Sequence, residues 1–467
     1  MLTRLRVQNF KNLRDVEVYF GPLTVIAGPN GVGKSNLLDA IQFLGNTAAM
    51  PLAQAALQVR GKHQPNSDIR KLFFNSANGH PENIEFEADF QVQEHGEDDF
   101  GQLATAGHTS LSYSFEISLS RDPLSSTPLN IVSESMFGIL PDGTRTEYFS
   151  VLNSDTLRIL NEELKQVFTL PIPDRFRSHA TLSRSDLPAH PTLVIAKLYL
   201  KSWMKYQLQL EQLMAPSLAL DEPELASDGG RIAAALFHLA KQEAHFVVKG
   251  NREDRFNPVY HRLLSRLSYV VPDLGFLWVQ MNENNTVLNL QLEDRWGNIF
   301  SPQAISEGSL RLIALATLAE DELSSPLCLI EEPESGIHPR QMYKVLDLLR
   351  TIFHPSLEFQ RQVIVSTHSP SFVAVAPEDS VLFASQEPKS GLDKSPSTLR
   401  LQCLSGTWRT ALAGQQVAAK GDLIHFLGVI PNPATLSEDY LEELRGADAR
   451  AVFERQEFLD YKLQSAV

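Results

Sequence analysis

The stretch Gly28-Pro29-Asn30-Gly31-Val32-Gly33-Lys34-Ser35 constrains this chain more than any other. It follows Leu23-Thr24-Val25-Ile26-Ala27, apolar but for one threonine, and precedes an amphipathic run from about Ser35 to Leu44. A strand buried on both faces, a glycine-rich turn and a helix, in that order, make the phosphate-loop unit of α/β folds. Glycines let successive backbone N–H groups turn inward toward phosphate oxygens, and the helix N-terminus adds its partial positive charge. Lys34 then reaches the β- and γ-phosphates, while Ser35 offers its hydroxyl to Mg²⁺.

A phosphate loop alone leaves the class open, because kinases, GTPases and transport ATPases share it. Three later segments narrow the choice. Ser306-Glu307-Gly308-Ser309-Leu310-Arg311 begins a helix whose small residues bring N–H groups and a hydroxyl to a γ-phosphate held by another subunit. An N-cap serine beside an ordinary glycine reads the same way. Leu327-Cys328-Leu329-Ile330-Glu331-Glu332 is an apolar strand that delivers two carboxylates to the edge where parallel α/β sheets bind ligands. There Glu331 holds Mg²⁺ through water and Glu332 orients or deprotonates the attacking water, unless the pair merely closes the strand in solvent. Ile364-Val365-Ser366-Thr367-His368-Ser369-Pro370 sets His368 at another strand tip on that edge, as a donor to the γ-phosphate. The four segments in this order are far more specific than any one of them.

The rest of the 467 residues implies two or three units. Residues 1–82 carry two alternating strands and the phosphate loop. In 83–150 the period becomes two, with Ile84, Phe86, Ala88 and Phe90, then Leu111, Tyr113, Phe115 and Ile117, so an antiparallel β subdomain with one wet face is expected. Residues 94–109 read as a loop. From about 155 the pattern reads as helical, giving a helical insertion over 151–270 broken by prolines. The core resumes over 271–385, and an appendage over 386–467 ends in an acidic helix from about Ser437 to Leu463. The fold class is therefore α/β, a P-loop NTPase core with a mixed sheet, an antiparallel β subdomain and an inserted helical subdomain.

A net charge of −15 excludes a bulk polycation, so nucleic acid would need a local basic patch. Arg4, Arg6, Lys11 and Arg14, the Arg70-Lys71 pair, and Arg175, Arg177 and Arg184 are the candidates, though such charges more often form a solvated face. Two cysteines, Cys328 and Cys403, make neither a disulfide framework nor a thiolate metal site. Without a signal-like start or an apolar run of membrane length, a cytoplasmic protein with no membrane partner is expected.

These motifs resemble the ATP-binding-cassette superfamily, in the branch that holds RecF, the structural-maintenance-of-chromosomes (SMC) ATPases and the overcoming-lysogenization-defect (OLD) proteins. Phe10-Lys11-Asn12-Leu13, the loop run continuing into Asn36-Leu37-Leu38, Glu331-Glu332-Pro333-Glu334-Ser335-Gly336-Ile337-His338-Pro339 and the Ser366-to-Pro370 block are similar to stand-alone bacterial AAA-family ATPases. The resemblance implies an ABC-type core and a homodimer, or higher oligomer, sandwiching ATP and Mg²⁺. Gly28, Pro29, Asn30, Gly31, Val32, Gly33, Lys34, Ser35 and Asn36 would bind the nucleotide, and Ser306, Gly308 and Ser309 would complete the site from the other subunit. Glu332 would be the catalytic carboxylate, His368 the switch histidine, Ser35 and Glu331 the metal-side residues, and 335–338 the loop crossing the interface. Glu331 stands where aspartate is usual, and the signature lacks the double glycine of transporters.

Residues 36–305 separate the loop from the signature, too many for a transporter cassette, and prolines rule out the long arms of a chromosome-organising ATPase. Two roles remain. One is the sensor and motor subunit of a bacterial anti-phage defence module that controls a separately encoded effector such as a nuclease or toxin. The other is a RecF-like, ATP-dependent DNA-binding protein of DNA repair.

Overall fold

A computed structural model describes residues 1–59, 68–74, 83–97, 101–120, 128–152, 155–184, 189–243, 248–321, 325–353, 361–387 and 397–418. The described residues divide into two compact units: those of Met1–Gly21, Ile26–Trp203 and 378–418 form the first, and those of Pro22–Val25 with Met204–Pro377 form the second.

The first unit opens with β1 (Leu2–Phe10) and β2 (Leu13–Tyr19), then the end of β3 (Leu23–Ala27), α1 (Lys34–Thr47) and α2 (Leu52–Gln58). Next come β4 (Asn83–Gln91), a small hairpin of β5 (His95–Glu97) and β6 (Leu103–Thr105), then β7 (Ser110–Leu119) and β8 (Leu129–Ile139). β9 (Arg145–Leu152), β10 (Thr156–Asn161), β11 (Gln166–Pro171) and α3 (Pro191–Lys201) follow. Eight strands make one sheet in the order β11-β10-β9-β8-β7-β4-β1-β2, antiparallel at every step. Strict alternation buries one face: Ile84, Phe86, Ala88 and Phe90 of β4 meet Ile117, Phe115, Tyr113 and Leu111 of β7. Phe43 of α1 packs on that face, 5.8 Å from Phe10 and 5.7 Å from Phe86 between ring centroids. The helix carrying the phosphate loop is thus anchored by aromatic burial on the sheet.

The second unit holds β12 (Met204–Tyr206), α4 (Leu210–Leu213), β13 (Ser217–Leu218), α5 (Ile232–Glu243), α6 (Pro258–Ser268), β14 (Leu274–Met281), β15 (Val287–Asp294) and β16 (Ile299–Phe300). It continues with α7 (Glu307–Glu320), β17 (Leu327–Glu331), α8 (Met342–Ile352), β18 (Gln362–Thr367) and α9 (Pro370–Val375). β12, β17 and β18 are parallel neighbours, and the Val363 N–H donates to the Pro22 carbonyl (2.8 Å), which sets β18 beside the start of β3. Every residue of β17 and β18 is buried, as a parallel sheet covered on both faces requires. α7 is apolar nearly all round and is a core helix. Back in the first unit, β19 (Val381–Gln386) pairs antiparallel with β20 (Leu399–Cys403).

Two sequence expectations fail. Residues 156–171 are the β10–β11 strand pair, not helix. Leu157, Leu160, Leu164 and Phe168 recur at helical spacing, and a hairpin at a sheet edge is not buried enough to impose a period of two. The 94–109 stretch is not plain loop, since β5 and β6 pair within it. The acidic helix expected over 437–463 lies outside the described residues. No described helix is long and apolar enough to cross a membrane.

Candidate functional site

In the first unit, buried β3 runs into the glycine loop. Gly31 and Gly33 take φ of 79° and 116°, which side chains strongly disfavour, and a Cβ on Gly28 would lie 2.1 Å from the Ala384 carbonyl oxygen of β19. α1 starts at Gly33 with no side-chain cap, so its first-turn N–H groups are not claimed by a capping residue. Pro29, Asn30, Gly31 and Ser35 are exposed, whereas Lys34 is buried and its ammonium donates to the Gly28 and Pro29 carbonyls, both at 2.7 Å. The β1–β2 turn braces the loop from below. Asn12 donates to the Val32 carbonyl (2.9 Å) and accepts from the Asn36 side chain (2.8 Å), and a Cβ on Gly33 would collide with it. Lys11, at φ 51° in the same turn, pairs with Asp39 of α1.

In the second unit, parallel β17 and β18 end level, Glu331 opposite Ser366, and bring Glu331, Glu332 and His368 to one edge. Glu332 has φ 44°, held by its N–H on the Ser366 carbonyl (2.9 Å) and by the Ser335 N–H on its own carbonyl (3.0 Å). Such strain in a non-glycine residue persists only where neighbours over-determine it. It turns the carboxylate outward: Oε1 lies 2.8 Å from His368 Nδ1, the Ser335 hydroxyl donates to Oε2 at 3.3 Å, and the side chain stays 39% exposed against 43% for His368. Glu331 is nearly buried. Lys205 of β12 sits 3.1 Å from its Oε1, an ion pair without hydrogen-bond alignment, so that oxygen keeps an unused lone pair. Glu334 is buried as well, accepts the Thr367 hydroxyl, and is pushed above the usual carboxylate range by burial.

Ser306 is the N-cap of α7: its hydroxyl accepts the Ser309 N–H (3.2 Å) and meets the Ser309 hydroxyl at 2.8 Å. Capping does not bury it; Ser306 is exposed. A Cβ on Gly308 would fall 2.6 Å from the Gly336 carbonyl oxygen, so the first turn of α7 and the 335–338 loop meet backbone to backbone.

Several basic candidates are already engaged. Arg4 is paired with Glu17 (2.6 Å), Glu87 (3.0 Å) and Asp89 (3.4 Å), Arg6 with Asp15 (3.1 Å) and Glu87 (3.7 Å), Lys11 with Asp39, and Arg177 with Asp155 and Asp174. Burial lowers the Arg184 pKa against the pull of Glu134. Arg14, Arg70 and Lys71 remain exposed. Sequence reasoning quoted Asn12, Glu334 and Thr367 within family-like blocks without giving them a role, and did not single out Lys205. Asn12 left one local sign, a polar residue in a two-residue turn; the others depend on contacts between distant segments.

Two ATPase-domain families match the chain: "AAA ATPase domain" over residues 1–168, and "AAA domain, putative AbiEii toxin, Type IV TA system" over 209–374. The chain carries regions that match these two ATPase-domain models, neither of which spans half of it, and shorter stretches are distantly similar to OLD nuclease, RecF and SMC proteins. Among relatives, an OLD nuclease of Thermus scotoductus is 52% identical over 44 residues, 9% of this chain and 8% of its own length. A RecF DNA replication and repair protein of Magnetococcus marinus is 48% identical over 56 residues, 12% of this chain and 15% of its own. Structural maintenance of chromosomes protein 1 of Schizosaccharomyces pombe is 34% identical over 87 residues, 18% of this chain and 6% of its own. The chain thus spans only a small part of these relatives' length. An SMC head bound to the C-terminal winged-helix domain of ScpA aligns over 86% of this chain and 98% of its own, at 16% identity and a TM-score of 0.49; the fold assignment rests instead on the topology above.

Proposed function

We propose that this ATPase-domain protein binds ATP through Gly28–Asn36 and hydrolyses it to ADP and phosphate with Glu332 as general base. The observation that carries the reading is the strained, half-exposed Glu332 carboxylate held against His368 at the end of β17. Water attacks the γ-phosphorus, the new P–O bond forms as the bond to the β–γ bridging oxygen breaks, and Glu332 takes the water's proton. The His368 Nδ1 contact fixes the carboxylate rotamer, and Lys34 moves from the loop carbonyls to the phosphates. Ser35 and Glu331 offer hard oxygen donors of the kind Mg²⁺ takes, and the unused lone pair on buried Glu331 Oε1 fits that role. When bound, Mg²⁺ neutralises phosphate charge. Ser306, Gly308 and Ser309, with the 335–338 loop, complete the site of a second subunit in an ATP-sandwiched homodimer. Lys34→Ala should abolish nucleotide binding, measured by titration with a fluorescent ATP analogue; unaltered affinity would remove the phosphate-loop assignment.

For the biological role we favour the sensor and motor subunit of a bacterial defence module with a separate nuclease or toxin effector. The toxin-system family over 209–374 and the kinship to an OLD nuclease support it. Affinity capture of the Glu332→Gln protein from its host with ATP and Mg²⁺, followed by mass spectrometry, should recover a stoichiometric effector. The RecF matches favour a second reading, an ATP-dependent DNA clamp, but Arg4, Arg6, Lys11 and Arg177 are held by carboxylates and poorly placed to release counterions. Duplex affinity that falls steeply with salt, with repair proteins captured and no effector, would turn the choice to that reading.

A further inference from the structure

The eight-stranded sheet ends at β11, which among the described residues pairs with β10 alone. All six of its residues are exposed, with Val167 at 53%, Phe168 at 40% and Leu170 at 48%. Free sheet edges are ordinarily protected by charge, proline, a bulge or a covering element, and in β11 the one proline stands at the last position, Pro171. Gln166-Val167-Phe168-Thr169-Leu170-Pro171 carries no charge, and its register with β10, from Thr156 opposite Pro171 to Asn161 opposite Gln166, has no bulge.

One hydrogen bond fixes which backbone groups face outward. The Ile172 N–H donates inward to the Asp155 carbonyl (2.7 Å). Alternation along an antiparallel ladder then turns Pro171, Thr169 and Val167 outward. Proline is tolerated at such an edge position because it has no N–H to leave unpaired. Val167 and Thr169 therefore present both donor and acceptor, and Pro171 an acceptor alone.

We propose that β11 pairs antiparallel with β11 of a second copy of this chain, about a two-fold axis at Thr169. In that register Thr169 exchanges two hydrogen bonds with the partner's Thr169, and Val167 donates to the partner's Pro171, twice by symmetry. The only ladder bonds missing are those Pro171 cannot donate. Phe168 lies opposite the partner's Leu170 in a non-hydrogen-bonded pair, where side chains approach closest. The occupant is a second copy because the edge is self-complementary, uncharged and apolar on both faces, as an isologous contact requires.

This pairing needs no nucleotide, so it is read on Lys34→Ala protein, where a sandwich around ATP does not form. Thr169→Cys should cross-link to a dimer under mild oxidation, since hydrogen-bonded pairs hold Cα atoms about 5.5 Å apart and the native Cys328 and Cys403 are buried. Val167→Cys should not, because its two copies lie about 13 Å apart along the strands in that register. Thr169→Pro removes the two central bonds without touching the β10 ladder, and should weaken the dimer about tenfold or more in sedimentation equilibrium. A wild-type chain that stays monomeric at micromolar concentration, or cross-linking at 167 and not at 169, overturns the proposal. Should the proline variant misfold, the two cysteine variants still decide.

Discussion

Replacing Glu332 by glutamine keeps the side chain's length and both of its contacts, His368 Nδ1 at 2.8 Å and the Ser335 hydroxyl at 3.3 Å, and asks nothing new of the backbone at φ 44°. It removes the proposed proton acceptor. A positioned general base contributes about 10²- to 10⁴-fold, or about 3–5 kcal/mol of barrier. The assay is single-turnover hydrolysis after rapid mixing with ATP, with ATP affinity measured separately. Hydrolysis should fall by that factor while affinity changes little, and an ATP-bound oligomer should persist. Adding His368→Ala to Glu332→Gln should cost little more, because groups that act as a unit are non-additive. Turnover by Glu332→Gln within a few-fold of wild type would place the base elsewhere in the chain.

Mixing Ser306→Arg with Lys34→Ala protein should restore part of the ATPase activity, since one composite site forms from the intact halves; no restoration would argue that Ser306 does not act across subunits. Glu134, buried in the first unit, accepts from the Tyr113 hydroxyl (2.8 Å) and from the Thr181 N–H and hydroxyl (2.9 Å and 2.8 Å). Glu134→Ala strands three buried donors, so urea unfolding should show a loss of about 3 kcal/mol or more. Burial, opposed by those hydrogen bonds, raises the Glu134 pKa above the usual 4.5. Its contribution is therefore full below about pH 4.5 and lost as pH rises through the folded value. Glu134→Gln should flatten that decline in the stability profile.

The phosphate-loop unit was legible because a buried strand, glycines and an amphipathic helix are all local signals. The same holds for β4 and β7, whose alternation is enforced by burial of one face. The β10–β11 hairpin was misread because at an exposed edge burial enforces no period, and leucine spacing then imitates a helix. The pairing of several basic candidates within the chain was hidden for another reason. Arg4 and Arg6 sit opposite Asp89 and Glu87 in the β1–β4 register, so their charges answer a neighbouring strand, and only pairing the two alternations would have shown it. Lys205 beside Glu331, and Thr367 on Glu334, join segments more than 30 residues apart in sequence, a distance over which no local pattern reports.

The contact between Gly308 and Gly336 has a mechanical meaning. Elsewhere in a protein a small displacement is absorbed as side chains change rotamer, but here carbonyl meets Cα with nothing between to yield. The 335–338 loop and the first turn of α7 therefore have no side chain between them to take up a shift, and any displacement of that loop toward the helix meets backbone two residues from Ser306.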